Sequence, residues 1–125
     1  MRTQVKMARE PSGGFRLTLT PPQRDAALSV LELMRSLLIS PAELEVQIGA
    51  SREIVEHIER QIRQADVGVD IGLTMTEVHV IHAALLSSLN QFTTEEDFYV
   101  RTGFFRQNIA GLAQGIVRAI GGSAA

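Results

Sequence analysis

The 125-residue chain contains no cysteine, and only 5% of its residues are aromatic. Without cysteine it can form neither disulfide bonds nor cysteine-based zinc sites, and it has no thiol nucleophile. No apolar run approaches the roughly 20 residues that a transmembrane helix needs. The N-terminal stretch lacks the apolar segment of a secretory signal peptide. We therefore expect a cytoplasmic protein with no membrane partner.

The chain also lacks a strong excess of either charge. Its formal net charge is −2, with 45% hydrophobic and 21% charged residues. This composition is typical of a globular domain rather than of a disordered chain. A nearly neutral chain gives no general electrostatic attraction to nucleic acid or to anionic membranes, although a local basic patch stays possible. We expect one domain.

The first segments read as a tail, a strand and a helix. Residues 1–14 carry Arg2, Lys6 and Arg9 before a Pro-Ser-Gly-Gly sequence, which predicts a flexible basic tail. The alternative is a basic arm that clamps a partner or DNA. Residues 15–20 alternate apolar and polar side chains and predict a half-buried strand. An amphipathic helix is predicted over residues 22–38.

Residues 40–64 predict a short helix, a glycine turn and a longer helix. Ser40 and Glu43 have the spacing of a capping box, and Gly49 can adopt the left-handed conformation that ends a helix. Ser51 is the expected cap of the second helix. The apolar stripe of that helix consists of Val55, Ile58 and Ile62.

Residues 41–60 resemble the helix-turn-helix of phage-repressor-type DNA-binding proteins. The matching positions are Leu44, Ile48, Gly49, Val55 and Ile58, whereas Glu45 stands where that family has a small residue. The resemblance implies that the second helix enters the major groove. The residues that would then contact DNA are Ser51, Arg52, Glu56 and His57. The other interpretation is a helical hairpin packed into the core. It is favoured because leucine, glycine and valine at these spacings are what any tight helix pair needs, and acidic residues on the second helix also offset the basic ones that DNA binding requires.

The pattern of strand, long helix, short helix and helix occurs twice. The first unit covers residues 15–64, a linker covers 65–70, and the second unit covers 71–120. A Gly-x-x-Arg sequence recurs as Gly49/Arg52 and Gly103/Arg106. We predict a mainly α fold in which two tandem units pack as one domain and their two strands pair antiparallel. Residues 121–125 are expected to fray. The sequence, with Leu-Thr followed by Gly-x-x-Arg, resembles that of small bacterial proteins of unknown activity.

Two features of the second unit are candidates for contact with a partner. A stripe of small residues on the last helix lets another backbone approach closely, either within the molecule or from a partner; it consists of Gly111, Gly115 and Ala119. Aromatic side chains cluster around the second glycine turn, and any that are exposed could anchor an interface. These are Tyr99, Phe104 and Phe105.

No catalytic constellation is recognisable. His79 and His82 lie three residues apart beside Glu77, but no further ligand of a zinc site is near in the sequence. The acidic run at residues 95–97 fits the start of a helix after Thr94. We expect no metal and no cofactor. The leading hypothesis is a non-enzymatic interaction module, such as an immunity-type, adaptor or regulatory component, that binds another protein or its own copy. The alternative is a helix-turn-helix transcription regulator, and a small enzyme is a third possibility.

Overall fold

A computed structural model describes residues 4–66, 68 and 70–123 of the chain. Within these residues lie six helices and three strands, so the mainly α prediction is confirmed. The strands are β1 (Lys6–Arg9), β2 (Phe15–Thr18) and β3 (Ile71–Leu73). The helices are α1 (Pro21–Arg35), α2 (Pro41–Ile48), α3 (Arg52–Gln64), α4 (Met75–Ser88), α5 (Glu95–Thr102) and α6 (Arg106–Ser123).

The predicted antiparallel pairing of the two strands is confirmed between β2 and β3. Phe15 lies opposite Leu73, and Leu17 lies opposite Ile71. Strand β2 ends at Thr18 and not at residue 20 as predicted, and a threonine after each of the two strands caps a helix. Thr20 caps α1, and Thr74 caps α4. In both caps the threonine oxygen accepts a backbone N–H three residues later, and a glutamine or glutamate side chain completes the capping box.

The flexible N-terminal tail is a wrong prediction for residues 4–14. Lys6–Arg9 pair antiparallel with β2 and give the sheet a third strand, in the order β1-β2-β3. The supposed hinge is the tight turn of this hairpin, in which Glu10 N–H donates to the Gly14 carbonyl at 2.7 Å. Gly13 adopts a φ of +102° there, a value that favours glycine. Residues 1–3 lie outside the described part of the chain.

The C-terminal boundary also differs from the prediction. Helix α6 extends through Ser123, whereas the apolar stripe predicted an end at residue 120. Gly121 and Gly122 therefore belong to the helix and not to a frayed end. Residues 124 and 125 lie outside the described residues.

The two predicted units pack against each other reciprocally. Helices α1 and α4 are in contact, α3 packs on α1, and α6 packs on α4. The short helix of each unit packs on the long helix of the other unit, since α2 contacts α4 and α5 contacts α1. The β2–β3 register includes the pair Leu17–Ile71, two residues that each lie three positions before a helix cap, Thr20 or Thr74, and so occupy matching places in the units. Two units around a two-fold axis would pack in this way, and the tandem duplication stays a prediction.

One continuous hydrophobic core lies between the sheet and the helices. The predicted inward face of α1 is fully buried at Ala26, Val30 and Met34. Strand β1 has no counterpart in the second unit. It packs against α6, so the N-terminal segment of the chain completes the side of the domain that contains the last helix.

Candidate interaction surface

Each short helix ends at a glycine of the repeated Gly-x-x-Arg sequence. Gly49 ends α2 with a φ of +74°, and Gly103 ends α5 with a φ of +81°. Their backbone N–H groups donate to the carbonyls of Glu45 and Tyr99, both at 2.7 Å. The left-handed conformation costs a residue with a Cβ roughly 1–2 kcal/mol. Glycine is therefore the residue that lets α3 and α6 turn away at these points.

The arginine of the first Gly-x-x-Arg sequence binds backbone carbonyls. Arg52 Nε donates to the carbonyl of Arg35 at 3.0 Å, and its Nη2 donates to those of Leu37 and Ile39 at 2.9 and 2.8 Å. These carbonyls lie at the end of α1 and in the loop that follows, where a helix has no backbone partners for them. The Arg52 guanidinium thus ties α3 to the end of α1.

The second arginine acts in the same way. Arg106 Nε donates to the carbonyl of Leu89 at 3.0 Å, and its Nη2 donates to that of Phe92. In addition, Glu95 accepts from Arg106 Nη1 at 3.0 Å and from its backbone N–H at 2.8 Å. The guanidinium carbon lies 5.4 Å from the centre of the Phe98 ring, a cation–π distance. We call the two arrangements the Arg52 clamp and the Arg106 clamp.

The four residues predicted to contact DNA do not form a basic surface. Ser51 caps α3 by accepting the Ile54 N–H, and the Arg52 guanidinium is committed to its clamp. Glu56 and His57 are exposed. The His57 Nε2 atom lies 3.8 Å from Glu77 on α4. The side chains that remain for a groove are therefore mostly neutral or acidic.

Glu59 is a buried carboxylate on α3. Its side chain is 0% exposed. Arg35 Nε donates to it at 2.6 Å, and Arg63 Nη2 donates at 3.2 Å. The hydrogen bond that Arg35 donates to Glu59 raises the pKa of the Arg35 guanidinium above its ordinary value. Its place four residues after Val55, on the apolar stripe of α3, is the sequence signal for this burial.

The small-residue stripe of α6 faces the chain's own N-terminal segment. Gly115 is buried, whereas Gly111 and Ala119 are partly buried. Gln4 and Val5 line a cavity of about 310 Å³ together with Gly115 and Ala119. Because α6 packs on β1, Gly115 is not available to a partner. The burial of Gly115 fits the interpretation of the stripe as a close contact within the molecule, and a partner contact at Gly111 and Ala119 stays a prediction.

The aromatic residues predicted around the second glycine turn divide into an inner and an outer set. Phe104 is partly buried against the core, and its backbone N–H donates to Thr102 Oγ1 at 3.1 Å. Tyr99 and Phe105 are 46% and 51% exposed. Their rings stack on each other, with centroids 4.8 Å apart and planes inclined by 25°.

Val100, which follows Tyr99 on the outward side of α5, is 77% exposed. Tyr99, Val100 and Phe105 together are called the aromatic patch. The structure thus brings two of the three predicted aromatic residues together at the surface and directs the third inward.

Two further cavities are lined in part by Glu77 and by the two histidines of α4, respectively. The larger, about 620 Å³, lies beside the β1–β2 turn and includes Glu10, Arg16 and Glu77. Glu10 pairs with Arg16, and Glu77 accepts the Thr74 N–H at 2.8 Å. The smaller, about 120 Å³, places His79 and His82 among apolar side chains. In the described part of the chain, no three His, Asp or Glu side chains are grouped closely enough to hold a metal ion.

No described helix combines the length and the apolar character that crossing a membrane requires. Comparison with family models, with curated proteins and with solved structures finds no match to this chain. The helix-turn-helix resemblance therefore stays a prediction. The aromatic patch is the candidate functional site that the structure itself offers.

Proposed function

We propose that the protein is a non-enzymatic interaction module that binds another protein through the aromatic patch. The observation that carries this proposal is the half-exposed, stacked pair Tyr99–Phe105. Aromatic side chains supply a large contact area and dominate the energetics of interfaces. Val100 extends the apolar surface on the same helix.

The patch is held in place before any partner arrives. Gly103 fixes the turn between the two aromatic residues, and Glu95 joins the start of α5 to the start of α6 through Arg106. Binding a preformed surface loses less conformational freedom than ordering a mobile one. A rigid aromatic pair is therefore suited to act as an anchor.

An immunity-type, adaptor or regulatory protein acts through such a surface without changing its partner chemically. The partner is either another protein or a second copy of this chain. Self-association through the patch would be isologous, so that the Tyr99–Phe105 pair of one copy meets the same pair of the other. Sedimentation of the purified protein over a range of concentrations distinguishes these two cases.

The test is quantitative affinity enrichment from the native cells with wild-type protein and two variants. The first variant combines Tyr99→Ala and Phe105→Ala. The control is Val46→Ala, which removes a side chain that is 87% exposed at the matching place of α2. Surface substitutions of this kind change stability by about 0.5 kcal/mol or less, which thermal unfolding checks.

We expect a partner, or a differently tagged copy of the chain, to be recovered with wild type and Val46→Ala and lost with the double variant. Recovery of the same proteins with all three forms would contradict the proposal.

DNA recognition by α3 is the second candidate. In its favour is the order of a short helix, a glycine turn and a longer helix in α2 and α3, which the resemblance to a helix-turn-helix requires. Its weakness is charge, because Arg52 is occupied and exposed Glu53 and Glu56 offset Arg60. Selection of random DNA duplexes on the purified protein tests it. Enrichment of one sequence motif that is lost in Glu56→Ala/His57→Ala, with the fold intact, would favour this function over the first.

A further inference from the structure

The surroundings of the aromatic patch carry unneutralised negative charge. Glu96 and Asp97 are both exposed in the first turn of α5. Among the residues that the structure describes, neither carboxylate forms an ion pair or a side-chain hydrogen bond. Glu96 precedes Tyr99 by three residues and Val100 by four, so it shares the outward face of the helix with them.

The basic side chains of α5 and of the start of α6, Arg101 and Arg106, form hydrogen bonds within the molecule. Arg106 is held by Glu95 and by the carbonyls of its clamp. Arg101 Nη2 donates to Ser36 Oγ on the neighbouring chain segment at 3.0 Å. Arg106 is thus paired with a carboxylate and Arg101 is held by a neutral hydroxyl, whereas Glu96 and Asp97 form no ion pair within the described residues. Because Glu95, Glu96 and Asp97 outnumber Arg101 and Arg106 here, the surroundings of the patch remain net negative.

The two carboxylates are not required to cap the helix. Thr94 Oγ1 accepts the Asp97 N–H at 3.1 Å, so the N-cap is formed by the threonine. Acidic residues in a first turn do interact favourably with the helix dipole, but this interaction leaves their carboxylates accessible from outside. The result is an apolar, aromatic centre with an acidic edge.

We propose that the segment that occupies the aromatic patch is cationic, with apolar side chains that cover Tyr99, Val100 and Phe105 and with Lys or Arg facing Glu96 and Asp97. Complementary charges at an interface select the partner and raise the rate of association. The exposed aromatic faces add to this preference, because they attract ammonium and guanidinium groups. The inference rests on the proposed function and specifies the partner class of that surface.

The chain provides its own reporter for the test. Tyr99 is the only tyrosine and the sequence contains no tryptophan, so tyrosine fluorescence reports on the patch alone. Short random peptides displayed on phage are selected on the wild-type protein, after removal of binders to the Tyr99→Ala/Phe105→Ala variant. The enriched peptides are then synthesised without tyrosine or tryptophan and titrated while the Tyr99 emission is recorded.

We expect the enriched peptides to be net positive, with Lys or Arg next to apolar residues. The variant Glu96→Gln/Asp97→Asn, which keeps the side-chain shapes, is expected to weaken their binding about five- to tenfold. Added salt should weaken binding to wild type more than binding to this variant. A matched substitution of acidic residues on the other short helix, Glu43→Gln/Glu45→Gln, is expected to leave the affinity unchanged.

Neutral or acidic peptides that bind through Tyr99 and are insensitive to Glu96→Gln/Asp97→Asn would overturn the cationic partner while leaving the interaction surface in place. If the protein self-associates through the aromatic patch and Glu96→Gln/Asp97→Asn does not weaken that association, the surface binds a second copy. This result would also overturn the cationic partner. If no peptide depends on the patch, the inference also fails. Affinity enrichment from cells then decides separately whether the proposed function fails with it.

Discussion

The helix pairs α2–α3 and α5–α6 are turned by the same glycine and held by the same arginine, yet they present different surfaces. Glu45 and Ser51 stand in the first pair where Tyr99 and Phe105 stand in the second. Gly49 and Gly103 have φ angles within 7° of each other, +74° and +81°. The comparison indicates that the Gly-x-x-Arg sequence belongs to the scaffold. Function is therefore to be sought where the two pairs differ.

The difference extends beneath the surface. Leu44 fills the core under α2, whereas Phe98 fills it under α5 and meets the Phe92 ring edge-on at 6.3 Å. On the longer helices, buried Glu59 in α3 corresponds to buried Ala113 in α6. The first pair is thus stabilised in part by a buried charge, and the second by aromatic packing.

The largest effect is expected from Phe98→Ala. The ring is fully buried, and its removal leaves a cavity and deprives Arg106 of its aromatic contact. Such truncations cost about 3–5 kcal/mol, and we expect Leu44→Ala to cost somewhat less because it removes fewer atoms. Urea unfolding followed by circular dichroism measures both. A smaller loss for Phe98→Ala than for Leu44→Ala would contradict the importance of aromatic packing in the second pair.

Glu59→Ala tests the buried charge that only the first pair contains. It removes the shared partner of Arg35 and Arg63, whose side chains are 29% and 48% exposed and can partly rehydrate. We therefore expect a loss of roughly 3 kcal/mol, at the lower end for broken buried pairs, in the same unfolding experiment. Glu59→Gln retains the shape of the side chain, so it should lower the free energy of unfolding less than Glu59→Ala does. Equal stability of wild type and Glu59→Ala would show that the charge pair contributes nothing.

The Arg52 clamp and the Arg106 clamp should contribute equally to the stability of the protein. Arg52→Ala and Arg106→Ala each remove charge-assisted hydrogen bonds to carbonyls at the end of a long helix. We expect each to lower the free energy of unfolding by about 2 kcal/mol. Lysine is expected to restore little, since it cannot reach several carbonyls with one planar fork. If only one of the two variants is less stable than wild type, the two helix pairs are not equivalent.

Gly49→Ala and Gly103→Ala provide the finest test of that equivalence. A Cβ at Gly103 would meet no atom within 4 Å, and one at Gly49 would lie 3.7 Å from the His79 ring, an ordinary contact. We therefore expect each substitution to lower the free energy of unfolding by about 1 kcal/mol, through backbone strain alone. Thermal unfolding of the two variants side by side checks it. A much larger loss at either glycine would indicate a role beyond the turn.

Features with local causes could be predicted from the sequence. The caps at Ser40 and Thr94, the ends of α2 and α5, and the pairing of the first and second predicted strands depend on nearby residues or on clear alternation. The sequence did not show which of the aromatic residues are exposed. The exposure of Tyr99 and Phe105 depends on how α5 and α6 pack against each other.

Features with distant causes could not be predicted. Strand β1 forms because β2 offers a free edge and because α6 packs against it, neither of which is visible in residues 6–9. The position of Glu59 beside the apolar stripe of α3 indicates an inward side chain, but its partner Arg35 lies 24 residues earlier and is not visible in that pattern. The clamps likewise join Arg52 and Arg106 to carbonyls of preceding segments, so the repeated arginine was recognisable while its partners were not.

The central claim is that the second helix pair, and not the first, contacts a partner. Site-specific incorporation of a photo-crosslinking amino acid at Val46 and at Val100, in living cells, tests it most directly. These matched, exposed residues lie on α2 and α5, and neither contributes to the core. We expect a discrete crosslinked product from position 100 and none from position 46. A product from position 46 alone, or from neither position, would contradict it.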